Sequence, residues 1–236
     1  MTEQYRIADR NIRIESLYAP VHRLCRDYLC ADGEPDFTAA VTAADIAFER
    51  TRSASEWPDE YIETLAVYRK IAEKMPEYDT VLMHGSAIAV DGETYIFTAP
   101  SGTGKSTHAR LWRELFGDRA VMVNDDKPLI RIRDAEVTVF GTPWNGKHHL
   151  GANIAVPLKA ICLLGRAEVN QICEISAREA YPVLLRQIYR PLDPAAMART
   201  LALIDKLQKN VRFYRLGCNM EPDAAQVAYE GMKGTV

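Results

Sequence analysis

The sequence predicts an α/β fold with a mixed sheet, preceded by a small N-terminal α+β lobe. From residue 79 onward, short β-branched runs alternate with amphipathic helical patterns. Asp91-Gly92 separates two apolar runs and predicts a tight β-hairpin. A loop with two glycines then joins the second arm of that hairpin to a helix. We therefore expect residues 1–78 to form the lobe with one amphipathic helix, and residues 79–236 to form the main domain.

Composition excludes several classes of protein. The 236 residues are 47% hydrophobic and 26% charged, as in ordinary globular proteins. A net charge of −3 argues against a general nucleic-acid binder. The N-terminus lacks a signal-peptide pattern, and no run approaches the roughly 18 apolar residues of a membrane span. The five cysteines contain no C-x-x-C pair and are interpreted as reduced thiols. We expect a cytoplasmic protein without nucleic-acid or membrane partners, and a homo-oligomer remains possible.

The lobe is predicted to contain both strands and helices. Residues 5–16 alternate loosely and predict one or two strands, and residues 20–29 predict a helix. Residues 37–48 predict strands, with a helix as the alternative because this segment contains several alanines. Residues 58–75 predict an amphipathic helix that has Pro58 in its first turn and ends at Pro76.

The main domain is predicted to contain nine strands and four helices. The strands are residues 81–83, 87–90, 95–98, 120–123, 129–132, 137–140, 158–164, 170–175 and 211–216, and the helices are residues 106–116, 176–189, 194–209 and 222–232.

Residues 98–107 read Thr-Ala-Pro-Ser-Gly-Thr-Gly-Lys-Ser-Thr and organise this domain. Strand, glycine loop ending in Gly-Lys-Ser, and helix form the context of a phosphate-binding P-loop. The glycines allow backbone N–H groups to approach phosphate oxygens, Lys105 would neutralise the β- and γ-phosphates, and the Ser106 hydroxyl would bind Mg²⁺. Ala99 replaces the first glycine of the usual pattern. The predicted nucleotide-binding residues are Ser101, Gly102, Thr103, Gly104, Lys105, Ser106 and Thr107.

Acidic and histidine side chains follow neighbouring strands. Asp125 and Asp126 end the strand that comes after the P-loop helix, where a Mg²⁺-binding carboxylate usually lies. One of them is expected to bind the metal, and the other to accept a proton from a substrate hydroxyl. An ordinary Asn-Asp-Asp turn is the alternative. His84 would lie near the phosphates, where it could orient a group or move a proton, although a structural histidine is equally compatible with the sequence.

A polar loop over residues 141–151 is a candidate for the substrate side of the site. Lys147 is a candidate second phosphate ligand, and Trp144 is a candidate for stacking on a base or contacting an acceptor. His148 and His149 lack zinc-site spacing. A solvated loop is the alternative.

Three segments together resemble the catalytic domain of HPr kinase/phosphorylase. They are His84-Gly85-Ser86, the loop Ser101-Gly102-Thr103-Gly104-Lys105-Ser106, and Asn124-Asp125-Asp126. A more distant likeness is to phosphoenolpyruvate carboxykinase, which shares this P-loop core. The resemblance covers mainly residues 81–132, and the family's Glu-x-Arg-Gly segment has no counterpart here.

The resemblance implies an ATP- and Mg²⁺-dependent serine kinase. It implies Asp125 as the catalytic carboxylate, Asp126 and Ser106 at the metal, and His84 and Lys105 as active-site residues. The acceptor would be a serine of an HPr-like protein or of a small ribosomal peptide. Two other functions fit the same residues. One is a carboxykinase-like metabolite phosphotransferase that uses Arg131, Arg133 and Lys147, and the other is a non-catalytic ATP-binding sensor.

Overall fold

The computed structural model describes residues 1–53, 55–146 and 148–234. The chain forms two compact units, Met1–Met75 and Pro76–Val236. Within the described ranges, no helix is both long and apolar enough to cross a membrane.

The first unit is a three-stranded sheet with three helices. The first two strands form an antiparallel hairpin, and the third strand pairs in parallel with the second. The strands are β1 (Thr2–Ile7), β2 (Arg10–Glu15) and β3 (Phe37–Ala40), and the helices are α1 (Pro20–Leu24), α2 (Ala43–Arg52) and α3 (Asp59–Lys74).

The prediction of strand throughout residues 37–48 is wrong for its second half, where helix α2 begins. Thr42 caps this helix, because its hydroxyl accepts a hydrogen bond from the Asp45 backbone N–H. The Asp45 carboxylate in turn accepts from the Thr42 N–H, at 2.9 Å. This capping box fixes the start of the helix and outweighs the β-branched composition. Helix α3 ends at Lys74, which confirms the predicted end before Pro76, and residues Met75–Tyr78 follow as a 3₁₀ turn.

The second unit is a mixed nine-stranded sheet flanked by helices, which confirms the predicted α/β class. Its path is β4-β8-β9-β10-β6-β5-β7, and β12 joins β10 to β11. The strands are β4 (Thr80–Leu82), β5 (Ser86–Val90), β6 (Glu93–Thr98), β7 (Ala120–Asn124), β8 (Leu129–Arg133), β9 (Glu136–Phe140), β10 (Ala155–Arg166), β11 (Gln171–Ile175) and β12 (Arg212–Cys218).

Helices cover both faces of this sheet. Neighbouring residues of β6 show the division: Ile96 packs in the cluster that contains α5 and α6, whereas Tyr95 and Phe97 pack in the cluster that contains α4 and α7. Each helix lies within two residues of its predicted ends. The helices are α4 (Lys105–Phe116), α5 (Ala177–Gln187), α6 (Pro194–Asn210) and α7 (Asp223–Met232).

The predicted hairpin at Asp91-Gly92 is confirmed. Both turn residues have positive φ, +52° and +82°, as a two-residue hairpin turn of this kind requires. Strand β5 pairs antiparallel with β6 on one side and with β7 on the other, while β6 also pairs in parallel with β10. The strand that leads into the P-loop is therefore one arm of a hairpin.

Candidate functional site

Three strand ends meet at one edge of the sheet. Because β5 is antiparallel to both β6 and β7, its first residue lies beside the last residues of the other two. Hydrogen bonds join the segments beyond these ends: the Thr98 hydroxyl donates to the His84 carbonyl at 2.9 Å, and the Gly85 N–H donates to the Asp126 carbonyl at 3.1 Å. The three motifs found in the sequence are therefore neighbours in space.

The P-loop exposes backbone donors at the start of α4. Gly102 and Gly104 have φ of +78° and +121°, which only glycine adopts without strain. Gly104 is the N-cap of α4, and the first turn has neither a side-chain cap nor an acidic residue. Its N–H groups and the positive end of the helix dipole are thus available to an anion. Ala99 does not have positive φ, so alanine at this position fits the turn.

Lys105 lies inside the loop that it follows. Its ammonium donates to the Ala99 carbonyl at 2.9 Å, and the side chain is buried. Burial lowers the pKa of Lys105, nearby Lys127 lowers it further, and Asp126 and Asp125 oppose these effects. The lysine of the P-loop and the predicted aspartates therefore lie within electrostatic reach of each other.

Asp125 is buried at the end of β7. Its Oδ1 accepts a hydrogen bond from the Ser86 hydroxyl at 2.9 Å. Its Oδ2 faces residue 146, because a Cβ placed on Gly146 would lie only 2.7 Å from this oxygen. The carboxylate is thus held from one side by β5 and approached from the other by the polar loop 141–151.

Asp126 and His84 form a second, more exposed pair. His84 Nε2 lies 3.4 Å from Asp126 Oδ1, and Lys127 Nζ lies 3.4 Å from the same oxygen. Gln187 of α5 contacts the other ring nitrogen of His84 at 2.9 Å. Burial lowers the pKa of His84, and the charges of Lys127 and Lys105 lower it further, whereas Asp126 raises it. The net direction is downward, which favours a neutral imidazole at pH 7.

Asn124 sets the turn that separates the two aspartates. Its Oδ1 accepts from the N–H groups of Asp126 and Lys127, at 2.8 and 2.6 Å. Its amide nitrogen donates to the hydroxyl and the carbonyl of Thr142, at 3.0 and 3.2 Å. This asparagine therefore fixes the aspartates and the start of loop 141–151 as one structure.

Oxygen ligands for Mg²⁺ are present, but only a few protein groups supply them. Asp126 has a side chain that is 35% exposed, and the Ser106 hydroxyl lies on the exposed first turn of α4. Within the parts of the chain that the structure describes, no three His, Cys, Asp or Glu side chains cluster to enclose a metal. Mg²⁺ is commonly bound by one or two carboxylates together with substrate phosphates, and this donor set fits that mode.

Trp144 lies beside Asn124, but its side chain is only 9% exposed, so little of the ring is available to stack on a base. Its contact with an acceptor stays a prediction, whereas the two predicted arginines lie away from the strand ends. Arg131 packs over the Phe140 ring, and Arg133 ends β8, about 13 Å along the strand from its start beside the site. Lys147, the predicted second phosphate ligand, is outside the described residues.

Comparison with protein families identifies the chain. Residues 52–221 match the family of the SynChlorMet cassette protein ScmC. The chain belongs to the ScmC family. No curated protein matches it. Among solved structures, it is similar to the HPr(Ser) kinase/phosphatase from Coxiella burnetii, at 11% identity and a TM-score of 0.33, over 65% of this ScmC-family chain and 99% of the other.

Sequence reasoning missed four residues of this site. Lys127 directly follows the aspartate pair, and this position in the sequence indicates that it lies near the site. Ser86 was noticed only as part of a motif, although its hydroxyl contacts the Asp125 carboxylate. Gln187 and Arg166 come from distant segments: the former contacts His84, and the latter donates to the Gly102 carbonyl at 2.5 Å. No local pattern points to either.

Proposed function

We propose that this protein is an ATP- and Mg²⁺-dependent kinase that transfers the γ-phosphate to a serine hydroxyl of a protein or peptide. The observation that carries the proposal is the meeting of Lys105, Asp125 and His84 at one edge of the sheet. Phosphoryl transfer depends mainly on positioning and charge stabilisation, so this small set of groups is sufficient.

The P-loop would bind the triphosphate. Backbone N–H groups at the start of α4 would donate to phosphate oxygens, and Lys105 would leave the Ala99 carbonyl for the β- and γ-phosphates. Ser106 and Asp126 would hold Mg²⁺, which when bound offsets phosphate charge and orients the γ-phosphoryl group.

Asp125 would accept the proton of the acceptor hydroxyl. Its Oδ1 is engaged by Ser86, so Oδ2, which faces loop 141–151, would be the accepting atom. His84, with its lowered pKa, would stay neutral and orient Asp126. The acceptor would therefore enter between loop 141–151 and the P-loop.

A serine acceptor fits the site better than a carboxylate metabolite. A carboxykinase-like enzyme needs further cations to bind its acceptor. Arg131 instead packs over the Phe140 ring, and Arg133 lies at the end of β8 that is farther from the site. HPr-like proteins and small ribosomal peptides are the candidate acceptors. Because the family is described as a cassette protein, peptides of the same cassette are the first to test.

Mass spectrometry of candidate acceptors after incubation with ATP and Mg²⁺ tests the proposal. We expect one added phosphate on a serine with the wild-type protein, and none with Asp125→Asn. An acceptor that stays unmodified while ATP is consumed would contradict serine phosphorylation. Binding of ATP and of a partner without turnover of either would favour the sensor instead.

A further inference from the structure

A cavity of about 460 Å³ lies beside the P-loop, on the side formed by the ends of β10 and β12. It is lined by loop residues Gly102–Gly104 and by Thr107 and His108 of α4, and much of the remaining wall is apolar. Its volume lies within the range of small-molecule sites. We call it the flanking cavity. Neither Asp125 nor His84 lines it, so the proposed chemistry does not use it.

The wall opposite α4 is held in place by backbone-directed hydrogen bonds. The Ala167 N–H donates to the Cys218 carbonyl at 3.0 Å, and the Asn219 N–H donates to the Asn170 side chain at 2.9 Å. Arg166 donates to the Gly102 carbonyl at 2.5 Å, which ties this wall to the P-loop itself. The flanking cavity is therefore built into the fold as a preformed space.

His108 provides this cavity with a polar group that is unpaired among the described residues. The ring is 2% exposed and lines the cavity. Its Nε2 lies 3.0 Å from the indole nitrogen of Trp112, and an indole N–H can only donate. Nε2 must therefore accept, which places the proton of the neutral ring on Nδ1. Burial lowers the pKa of His108 to about 4, so the ring is neutral at pH 7.

The Nδ1–H of His108 has no hydrogen-bond partner within the described parts of the chain. Buried donors in native proteins are nearly always paired, so an unpaired one calls for an explanation. A ligand with an acceptor atom in the flanking cavity would supply the missing partner.

We infer that the flanking cavity holds the nucleoside of the bound nucleotide, with the His108 Nδ1–H donating to an acceptor on its sugar or base. This inference rests on the proposed function, because the phosphates must occupy the P-loop. Thr107 and His108 follow the phosphate-binding turn directly, so a group attached to the α-phosphate would enter the cavity. The apolar side chains of Leu164, Ala167 and Met220 offer a surface for a flat base.

Calorimetric titration with ATP and with inorganic tripolyphosphate, both with Mg²⁺, separates the contribution of the nucleoside to affinity from that of the phosphates. We expect wild-type protein to bind ATP at least ~10-fold more tightly than tripolyphosphate. Ala167→Trp fills the cavity from an exposed position and should remove that advantage without weakening tripolyphosphate. Val169→Trp is the matched control, since Val169 is 74% exposed in the same loop and does not line the cavity.

The outcomes distinguish this inference from the proposed function. Equal affinity for ATP and tripolyphosphate in the wild type would overturn the nucleoside site and leave the phosphate site intact. Loss of ATP affinity in both tryptophan variants would also overturn it. Binding of neither ligand would overturn the proposed function, and the nucleoside site with it.

Two substitutions of His108 test the donor itself. An asparagine amide occupies the place of Nδ1, whereas a glutamine amide reaches the place of Nε2. His108→Asn therefore keeps the donor to the cavity, and His108→Gln keeps the acceptor for Trp112. We expect ATP affinity within about threefold of wild type for His108→Asn and about tenfold weaker for His108→Gln, with unchanged tripolyphosphate affinity. Wild-type ATP affinity in His108→Gln would overturn the assigned hydrogen bond.

Discussion

The two ends of the β5–β6 hairpin place their charges in opposite ways. At the turn end, Asp91 and Arg119 form a two-pronged ion pair, and both side chains are about half exposed. At the other end, Asp125 and Lys105 are buried, and the ammonium of Lys105 donates to the carbonyls of Ala99 and Pro100.

Under the proposed function, this difference separates a turn end that contributes little to folding or activity from a P-loop end that carries the chemistry. Exposed ion pairs contribute little to folding, and their loss is easily tolerated. Buried charges cost desolvation energy and are retained where a protein needs their reactivity. Substitutions at the hairpin's P-loop end should therefore change activity far more than those at its turn end.

The largest expected effect is that of Asp125→Asn. Removing the proton acceptor should lower turnover about 10³-fold, while ATP affinity stays within about threefold. The same substitution at the turn end, Asp91→Asn, should leave both quantities unchanged, since asparagine tolerates the positive φ there. Steady-state kinetics and calorimetry on both variants measure this. An equal loss of turnover in Asp125→Asn and Asp91→Asn would contradict the proposed difference between the two ends.

Gly146→Ala should also lower turnover, although it replaces no charged residue. The new Cβ would lie 2.7 Å from Asp125 Oδ2, so the carboxylate must move. We expect turnover to fall about 10²-fold, as a displacement of about 1 Å can cost. Gly165→Ala is the control, because its Cβ would meet only the Leu216 carbonyl at 3.8 Å. Full turnover in Gly146→Ala would show that Oδ2 is not the accepting atom.

His108, which lies on α4 just after the P-loop, should make the free energy of unfolding depend on pH. Its pKa is lowered to about 4 by burial, so the unfolded chain binds a proton more readily than the folded one between pH 6.5 and 4. Stability is fully present above pH 6.5 and is lost as the pH falls toward 4. Urea unfolding should show about 2 kcal/mol less stability at pH 5 than at pH 7.5 from this group. In His108→Gln, that part of the pH dependence should disappear, and its persistence there would assign it to other groups.

The smallest effect concerns His84, and it tests whether Lys127 belongs to the site. Lys127 is the largest charge contribution to the lowered pKa of His84. Lys127→Met should therefore raise this pKa, as followed by NMR titration of the imidazole. Lys159→Met, which removes a partly exposed lysine paired with Glu93, should leave it unchanged. An unaltered His84 titration in Lys127→Met would remove Lys127 from the site.

Local patterns predicted most of the fold and the groups that gather at the P-loop. The hairpin turn at Asp91-Gly92, the glycine loop and the helix stripes each depend on neighbouring residues, and each is present. In helix α2 the Thr42–Asp45 capping box competes with a β-branched composition, and the folded chain shows that the capping box prevails.

Tertiary contacts explain what the sequence could not predict. Gln187 contacts His84 from a helix that lies 103 residues further along the chain. Trp144 lies in a polar loop, yet it is buried against the protein. The burial that lowers the pKa of His108 and isolates its Nδ1 likewise depends on how Phe97 and Trp112 pack around the ring.

Calorimetric titration of ATP with Mg²⁺ into the wild-type protein and into Lys105→Met tests the central claim most directly. If the P-loop holds the nucleotide at the strand ends, the wild type should bind one ATP per chain, and Lys105→Met should bind it at least ~10-fold more weakly while remaining folded. Absence of binding by the wild type, or equal affinity in Lys105→Met, would contradict the account.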